Sequence, residues 1–373
     1  MSKAAELANL IGNINAGGGG VNKNAIINGA MNVAQRGTSS TGLGSADGYF
    51  VLDRWHSTVG ATSGGRFTLT QDSSAPSGFA NSAKLACTTA DTSIDAGELL
   101  LFRQKIEGQN VQAFAKGTSD AKPFALSFYV KGNASATYVG ALFDIDNSRY
   151  VGKTFSVTTD WTRVELTLPA DTTGTLDDDN ASSLELWIWL HAGSTYTSGT
   201  LATSWESYTT ANTAVGISSF FDSTDRTFFI TGVQLEVGQN PTEFEVEPFE
   251  RTLAKCQRYY YALLGTIGGS NGQEAHVCTA GAYSDTTAYG GVPFPVTMRA
   301  TPTLVHLTGT NYWQFYNANQ ADLFDGFTMF GQNQSNSNKA FIYNADTVST
   351  TNTNAGNFQG NNSGCYLHFT AEL

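Results

Sequence analysis

Charge is scarce in this chain. Asp, Glu, Lys and Arg make up 14% of the 373 residues, against about 25% in an average soluble domain. The charge present leans acidic, to a formal net −12, and no run of Lys and Arg occurs anywhere. Such a surface repels phosphate backbones, which argues against a nucleic-acid partner. It disfavours an anionic membrane for the same reason. Long apolar runs are missing as well. Nothing approaches the roughly 20 apolar residues that span a bilayer, so no membrane insertion is expected. The stretch Met1 to Gly20 lacks the continuous apolar core, roughly 7–15 residues long, of a signal peptide. Synthesis and folding in a cytosol are the expectation.

Cysteine is sparse, and Cys87, Cys256, Cys278 and Cys365 form no CxxC pair. In a reducing compartment they are expected to be buried thiols rather than disulfides or zinc ligands. His56, His191, His276, His306 and His368 are scattered without metal-ligand spacing. GxSxG, HExxH, a P-loop and a strand-following GxGxxG are all absent. Carboxylates suited to glycoside hydrolysis are numerous. Which pairs approach within the roughly 5–10 Å that hydrolysis needs is not legible from one sequence. The expectation is a non-enzymatic protein without a cofactor. Structural calcium stays open, because Asp144-Ile145-Asp146-Asn147 and Asp177-Asp178-Asp179-Asn180 could supply some of its roughly six to eight oxygens. Solvated acidic turns are the competing reading.

The polarity comes instead from Ser, Thr, Asn, Gln and 39 glycines, beside 40% hydrophobic and 12% aromatic residues. That mix is poor helix material and suits short strands joined by turns. A strand candidate runs from Asn24 to Gly37. From Arg66 to Val237 about ten more follow, including Asn110–Ala115, Phe124–Lys131, Ala136–Asp144, Ser183–His191 and Arg226–Val237, separated by Gly, Asn, Asp, Ser or Pro. An all-β, antiparallel sandwich is implied, and a jelly roll is close to that strand number. Residues 248–264 read as a connector with a short helix, with Leu253, Gln257 and Tyr260 on one side. Residues 265–373 read as a second, smaller β-sandwich with long Asn/Gln/Ser/Thr loops. There Pro293 and Pro295 suggest that the run Val292–Arg299 opens as an edge strand or an irregular segment. The expected organisation is residues 1–23 as an attachment helix and Gly linker, 24–247 as the jelly roll, 248–264 as connector and 265–373 as a tip.

Several residues invite a functional reading. Leu184, Leu186, Ile188 and Leu190 alternate with Glu185, Trp187, Trp189 and His191. The aliphatic row is the better core face. The second face could be covered by a loop of the same domain, could form a subunit contact, or could stack sugar rings on Trp187 and Trp189 while Glu185 or His191 binds hydroxyls. Trp205 and Tyr208 lie in the polar segment 193–221, and Tyr312, Trp313 and Phe315 lie among polar loops. Each is either anchored or offered to a ligand. Leu7, Leu10, Ile11 and Ile14 form one apolar stripe of a short helix, which is either a frayed terminus or a docking peg or self-association element. Asp53-Arg54-Trp55 suits an ion pair with Arg stacked on Trp.

The connector also carries a pattern. Gly232-Val233-Gln234-Leu235-Glu236-Val237-Gly238, Pro241-Thr242-Glu243-Phe244-Glu245, Arg251-Thr252-Leu253 and Cys256-Gln257-Arg258-Tyr259-Tyr260 together resemble a motif common in bacteriophage tail-fibre and other virion-appendage proteins. Asn28 to Gly37, NGAMNVAQRG, with Asp53-Arg54-Trp55 resembles the opening of the same module. Val292 to Pro302 resembles the segment after it. The resemblance covers roughly residues 24–305 and implies a carbohydrate-binding-module-like jelly roll with Val233 and Leu235 inward. It also implies a homotrimer in a virion, made in the host cytoplasm. Such a tail fibre would contact other virion proteins through its N-terminus and host-surface glycans elsewhere. A structural capsid decoration or head-fibre protein is the alternative, and a polysaccharide-degrading enzyme is a third reading.

Overall fold

The computed structural model describes residues 23–60, 63–269, 274–331, 333–349 and 355–373. The expected attachment helix with Leu7, Leu10, Ile11 and Ile14 lies outside the described residues. The chain divides into two compact units. One comprises Thr38–Pro248 with the residues up to Ala34 and Leu373, and the other comprises Phe249–Glu372 with Gln35–Gly37.

The strands of the first unit are β1 (Ser39–Leu43), β2 (His56–Val59), β3 (Arg66–Asp72), β4 (Ser82–Thr89), β5 (Leu99–Glu107), β6 (Phe124–Gly132), β7 (Ala136–Asp144), β8 (Arg149–Val157), β9 (Thr162–Leu168), β10 (Ser182–Ala192), β11 (Glu206–Ser207) and β12 (Thr227–Val237). They form two six-stranded sheets, ordered β1-β3-β4-β12-β6-β9 and β11-β8-β7-β10-β5-β2, with antiparallel pairing throughout. This is a jelly-roll sandwich. The aliphatic row of β10 is fully buried in the core between the sheets, with Phe67, Phe102, Phe128 and Leu126.

Strand β12 shows why the motif GVQLEVG has its composition. Phe228 and Ile230 point into the core, and so do Val233 and Leu235. A strict two-residue alternation would put these pairs on opposite faces. The register on β6 shifts between Thr231 and Gln234, and Gly232 sits there at φ +63°. That backbone favours glycine, and a Cβ would come within 2.6 Å of the Phe79 ring. The bulge restores inward alternation. It also engages the opening motif, since the Val233 amide donates to the Gly29 carbonyl at 3.0 Å and the Ala25 amide to the Leu235 carbonyl at 2.9 Å. The two sequence signatures of the first unit are therefore one contact.

That contact corrects the strand expected over residues 24–37, which is a turn followed by irregular chain. Asn28 and Met31 both take φ +58°, and the Asn28 side chain holds the turn by accepting from the Asn32 and Val33 amides. Residues 110–115 are also not a strand but two short 3-10 turns, Gly108–Asn110 and Gln112–Phe114. Trp55 stacks on Phe102 at 4.8 Å rather than on Arg54, whose guanidinium donates to the Lys105 carbonyl.

In the second unit a helix, α1 (Phe249–Gln257), buries Thr252 and Cys256 rather than the expected Leu253 stripe. Strands β13 (Tyr260–Leu264), β14 (His276–Ser284), β15 (Thr287–Pro293), β16 (Thr303–His306), β17 (Trp313–Asn317), β18 (Gln320–Phe324), β19 (Phe327–Met329), β20 (Lys339–Asn344), β21 (Ala355–Gly360) and β22 (Leu367–Thr370) follow. They form a three-stranded sheet, β13-β22-β16, and a seven-stranded sheet, β18-β17-β21-β14-β15-β20-β19. Of the two readings for Val292–Arg299 the irregular one holds: β15 pairs on both sides and is not an edge, it ends at Pro293, and residues 294–299 form no strand. Arg36 of the opening motif lies 3.4 Å over the Tyr260 ring and pairs with Glu372 at 3.0 Å. The end of the NVAQRG sequence and the start of β13 thus meet in this unit.

Candidate functional site

The outer face of β10 is closed. Trp187 is 6% and Trp189 1% exposed. Both belong to a second small core with Leu101, Val139, Ala141, Tyr150, Ala202 and Ala214, against which Tyr196, Leu201, Tyr208 and Ile217 pack. The segment 193–219 supplies the cover. It is stitched to the sheet through Gly152 N–H to Ala202 O at 2.8 Å, Tyr208 N–H to Ser148 O at 2.8 Å and Ser218 N–H to Thr137 O at 2.7 Å. The Tyr150 hydroxyl donates to the Thr213 carbonyl at 2.6 Å. Of the three uses open for this face, the loop of the same domain is the one realised.

The polar groups of that face are committed too. Glu185 accepts from Trp187 Nε1 at 2.6 Å and pairs with Arg103 at 2.9 Å. His191 is fully buried, with Nε2 3.1 Å from Glu98 and Nδ1 2.9 Å from the Ser219 hydroxyl. A carboxylate accepts, so Nε2 carries the proton and Nδ1 accepts from Ser219. Burial holds this imidazole below its ordinary value, against the opposing pull of Glu98. His191 is a clasp for the cover and offers nothing to a ligand.

Trp205 and Tyr208 are anchors. The Trp205 indole donates to the Pro169 carbonyl at 2.8 Å and packs on Phe124. The Lys116 ammonium lies 4.8 Å over its ring. That ammonium is wholly buried between Asp144 and Asp171 and donates to the Thr173 and Gly174 carbonyls at 3.0 and 2.9 Å. Asp171 also takes the Arg149 fork. Burial opposes its charge, but the Arg149 and Lys116 bonds prevail and hold its carboxyl below the usual range. The oxygens considered for calcium are largely engaged within the protein. Asp144 receives Lys116 and Asn147, Asp146 receives the Asp177 amide, and Asp179 receives the Ala181 amide. Among the described residues, no three His, Cys, Asp or Glu side chains converge as a metal site.

Tyr312, Trp313 and Phe315 are not ligand platforms. Trp313 and Phe315 are fully buried in the core of the second unit, and Tyr312 packs against it.

An open aromatic surface does exist, elsewhere. On β15 and β20, Ala288, Gly290, Val292, Ala340 and Ile342 are buried, and Tyr289, Gly291, Lys339, Phe341 and Tyr343 take the alternate, outward positions. Register places Tyr289 beside Tyr343 and Gly291 beside Phe341. With Gly291 lacking a side chain, the Phe341 ring packs against it, its nearest carbons 3.5 Å from where a Cβ would stand. Gly281 on β14 leaves a second gap, with nothing within 4 Å. Tyr283 stands at the end of β14, 72% exposed, and meets Tyr289 edge-on at 5.7 Å. Phe330 packs on Tyr343 at 4.5 Å. The result is a groove of about 390 Å³ lined by Tyr283, Tyr289, Phe330, Phe341, Asn333, Gln334 and Lys339.

This groove was not found by sequence reasoning. Residues 265–373 read as a small β-sandwich, but the faces of its strands are not assigned from sequence. The usable signal was the alternation in TAYGGVP and KAFIYN. Small or aliphatic residues occupy one phase, and aromatics and glycine the other.

No family model matches the chain, and no curated protein matches it. Among solved structures, the enzymatically active domain of tailspike protein 4 from bacteriophage CBA120 is similar at 14% identity and a TM-score of 0.30 over 58% of this chain. This chain spans only 21% of that tailspike domain's length. The family 11 carbohydrate-binding module of a Clostridium thermocellum cellulosomal cellulase matches at 14% identity and TM-score 0.28, covering 53% of this chain and 95% of the module. A family 30 carbohydrate-binding module matches at 12% identity and TM-score 0.26, covering 58% and 97%. At these scores the matches carry no functional argument.

Proposed function

We propose that this protein is a glycan-binding virion appendage, a tail fibre or similar part, that holds host-surface sugars by binding rather than catalysis. The observation that carries the binding half is the open groove on β15 and β20. Exposed aromatic rings there line a concave surface beside amide side chains. The apolar C–H face of a pyranose loses water favourably against Tyr and Phe rings. Asn333 and Gln334 both donate and accept, which suits hydroxyls without a counter-charge. The virion half rests on the sequence resemblance, and trimeric assembly and attachment through the N-terminus belong to the same proposal. Tail fibre and capsid decoration are separated by locating the chain on a particle.

Binding is tested on a glycan array, followed by calorimetry on the best oligosaccharide. Tyr289→Ala and Phe341→Ala should each weaken binding at least tenfold while leaving thermal unfolding nearly unchanged. Full affinity retained in both variants would remove the groove from the mechanism. Release of reducing ends from the bound glycan would overturn binding without catalysis.

A further inference from the structure

We infer that the groove selects a carboxylated sugar, a glycan bearing a uronic or nonulosonic acid, with Lys339 as the carboxylate's partner. This rests on the glycan-binding reading of the groove and narrows it. The groove lining contains one cation and no Asp or Glu among the described residues, in a chain whose net charge is −12. Lys84 meets Asp72, Arg103 meets Glu185 and Arg149 meets Asp171 within the protein. Lys339 meets none within 4 Å among the described residues. Its ammonium is poised 5.1 Å from the centroid of the Phe341 ring.

The ammonium lies over the face of that ring, so a pyranose stacked on Phe341 takes its place there, and the flexible four-carbon stem carries the ammonium to the sugar's edge, where it meets a ring carboxylate. Backbone pairing fixes the root of the lysine. Lys339 sits opposite Pro293 in the ladder, and its carbonyl accepts the Asn336 amide at 2.9 Å. The amides of Asn333 and Gln334 on the adjacent turn remain for hydroxyl or N-acyl groups. A neutral sugar would use the stack and the amides but leave the ammonium unmatched.

The contact is solvent-facing, so its contribution should be modest and screened by salt. Sialyllactose with lactose, and tetragalacturonic acid with its carboxyl-reduced form, are the probe pairs for calorimetry. The expected result is at least fivefold tighter binding of the acidic member of one pair. That preference should disappear in Lys339→Gln and shrink at 0.5 M sodium chloride, while Tyr289→Ala weakens both members. Equal binding of acidic and neutral members, or a preference that survives Lys339→Gln, overturns the inference and leaves the groove a neutral-sugar site. Failure of the wild-type chain to bind any probe or any arrayed glycan overturns the groove reading as well.

Discussion

Two sheet faces in this molecule carry aromatics at alternate positions, and they have opposite fates. On β10 the outward Trp187 and Trp189 are sealed under residues 193–219. On β15 and β20 the outward Tyr289, Phe341 and Tyr343 face solvent in part. Their strand patterns alone do not tell them apart. The difference lies in what the chain does next. After β10 it supplies Tyr196, Leu201, Ala202, Tyr208, Ala214 and Ile217, enough apolar surface to make a second core. Before β20 it supplies Phe330, Asn333 and Gln334, which wall a groove but bring only one apolar side chain, too little to close it.

The largest test of that contrast removes what closes the first face. Trp189→Ala should cost the first unit about 3–5 kcal/mol, as for other buried large-to-small changes. Lys116→Met should cost a similar amount, about 3–5 kcal/mol, because it strands Asp144 and Asp171 as buried charges without their ammonium. Both should appear as a lowered first transition in calorimetry. Glycan affinity measured below that transition should be unchanged. A loss of affinity in Trp189→Ala with the fold intact would return the β10 face to the functional account.

The reverse dissociation is next in size. Tyr289→Ala should cost about 1.4 kcal/mol of binding, which is tenfold, and little stability, because the ring is 37% exposed. A large drop in melting temperature would show that the outward aromatics are as structural as the tryptophans.

Acid should separate the two faces a third way. Burial, with Arg103 and Lys105 adding to it, pushes His56 down to about 3, and burial also lowers His191. Unfolded imidazoles protonate near pH 6.5, so the unfolded state binds more protons below that pH. Stability of the first unit should therefore fall as pH drops from about 6.5 towards 3, by up to about 1.4 kcal/mol per pH unit for His56. Urea midpoints at pH 7 and pH 5 measure this, and His56→Gln should flatten the slope. Among the described residues, the groove is lined by no histidine or carboxylate. Its affinity for a neutral glycan should stay level over the same range while the fold holds.

The sequence was informative where one segment carries its own reason. The aliphatic row of β10 and the all-β class follow from alternation and turn chemistry, and the inward Val233 and Leu235 from the resemblance of GVQLEVG. Residues 24–37 misled because Asn28 and Met31 adopt positive φ in answer to the bulge at Gly232, some 200 residues away. The candidate ligand aromatics misled for the same reason. Trp205 is fixed by Pro169 and Lys116, and Trp187 by the segment 193–219, and local composition records neither contact. The groove escaped because its aromatics are spread over three strands and a turn, none of them conspicuous alone.

The finest distinction between the faces is a single methyl group. Gly291 has no side chain, and the Phe341 ring occupies the space above it. A Cβ there would stand 3.5 Å from the ring, an ordinary contact, and the residue does not lie at positive φ. Gly291→Ala should therefore be tolerated, within about 1 kcal/mol and with a gain in stability if the unfolded chain loses entropy. The methyl would nevertheless hold Phe341 in place or tilt it. If the ring's position over Gly291 is what the ligand meets, affinity should fall two- to fivefold with no loss of melting temperature. If affinity is unchanged while Phe341→Ala still abolishes binding, the ring's presence matters and its exact position does not. On the sealed face the comparable addition, Ala141→Val, would enter a packed core and should lower stability without touching affinity.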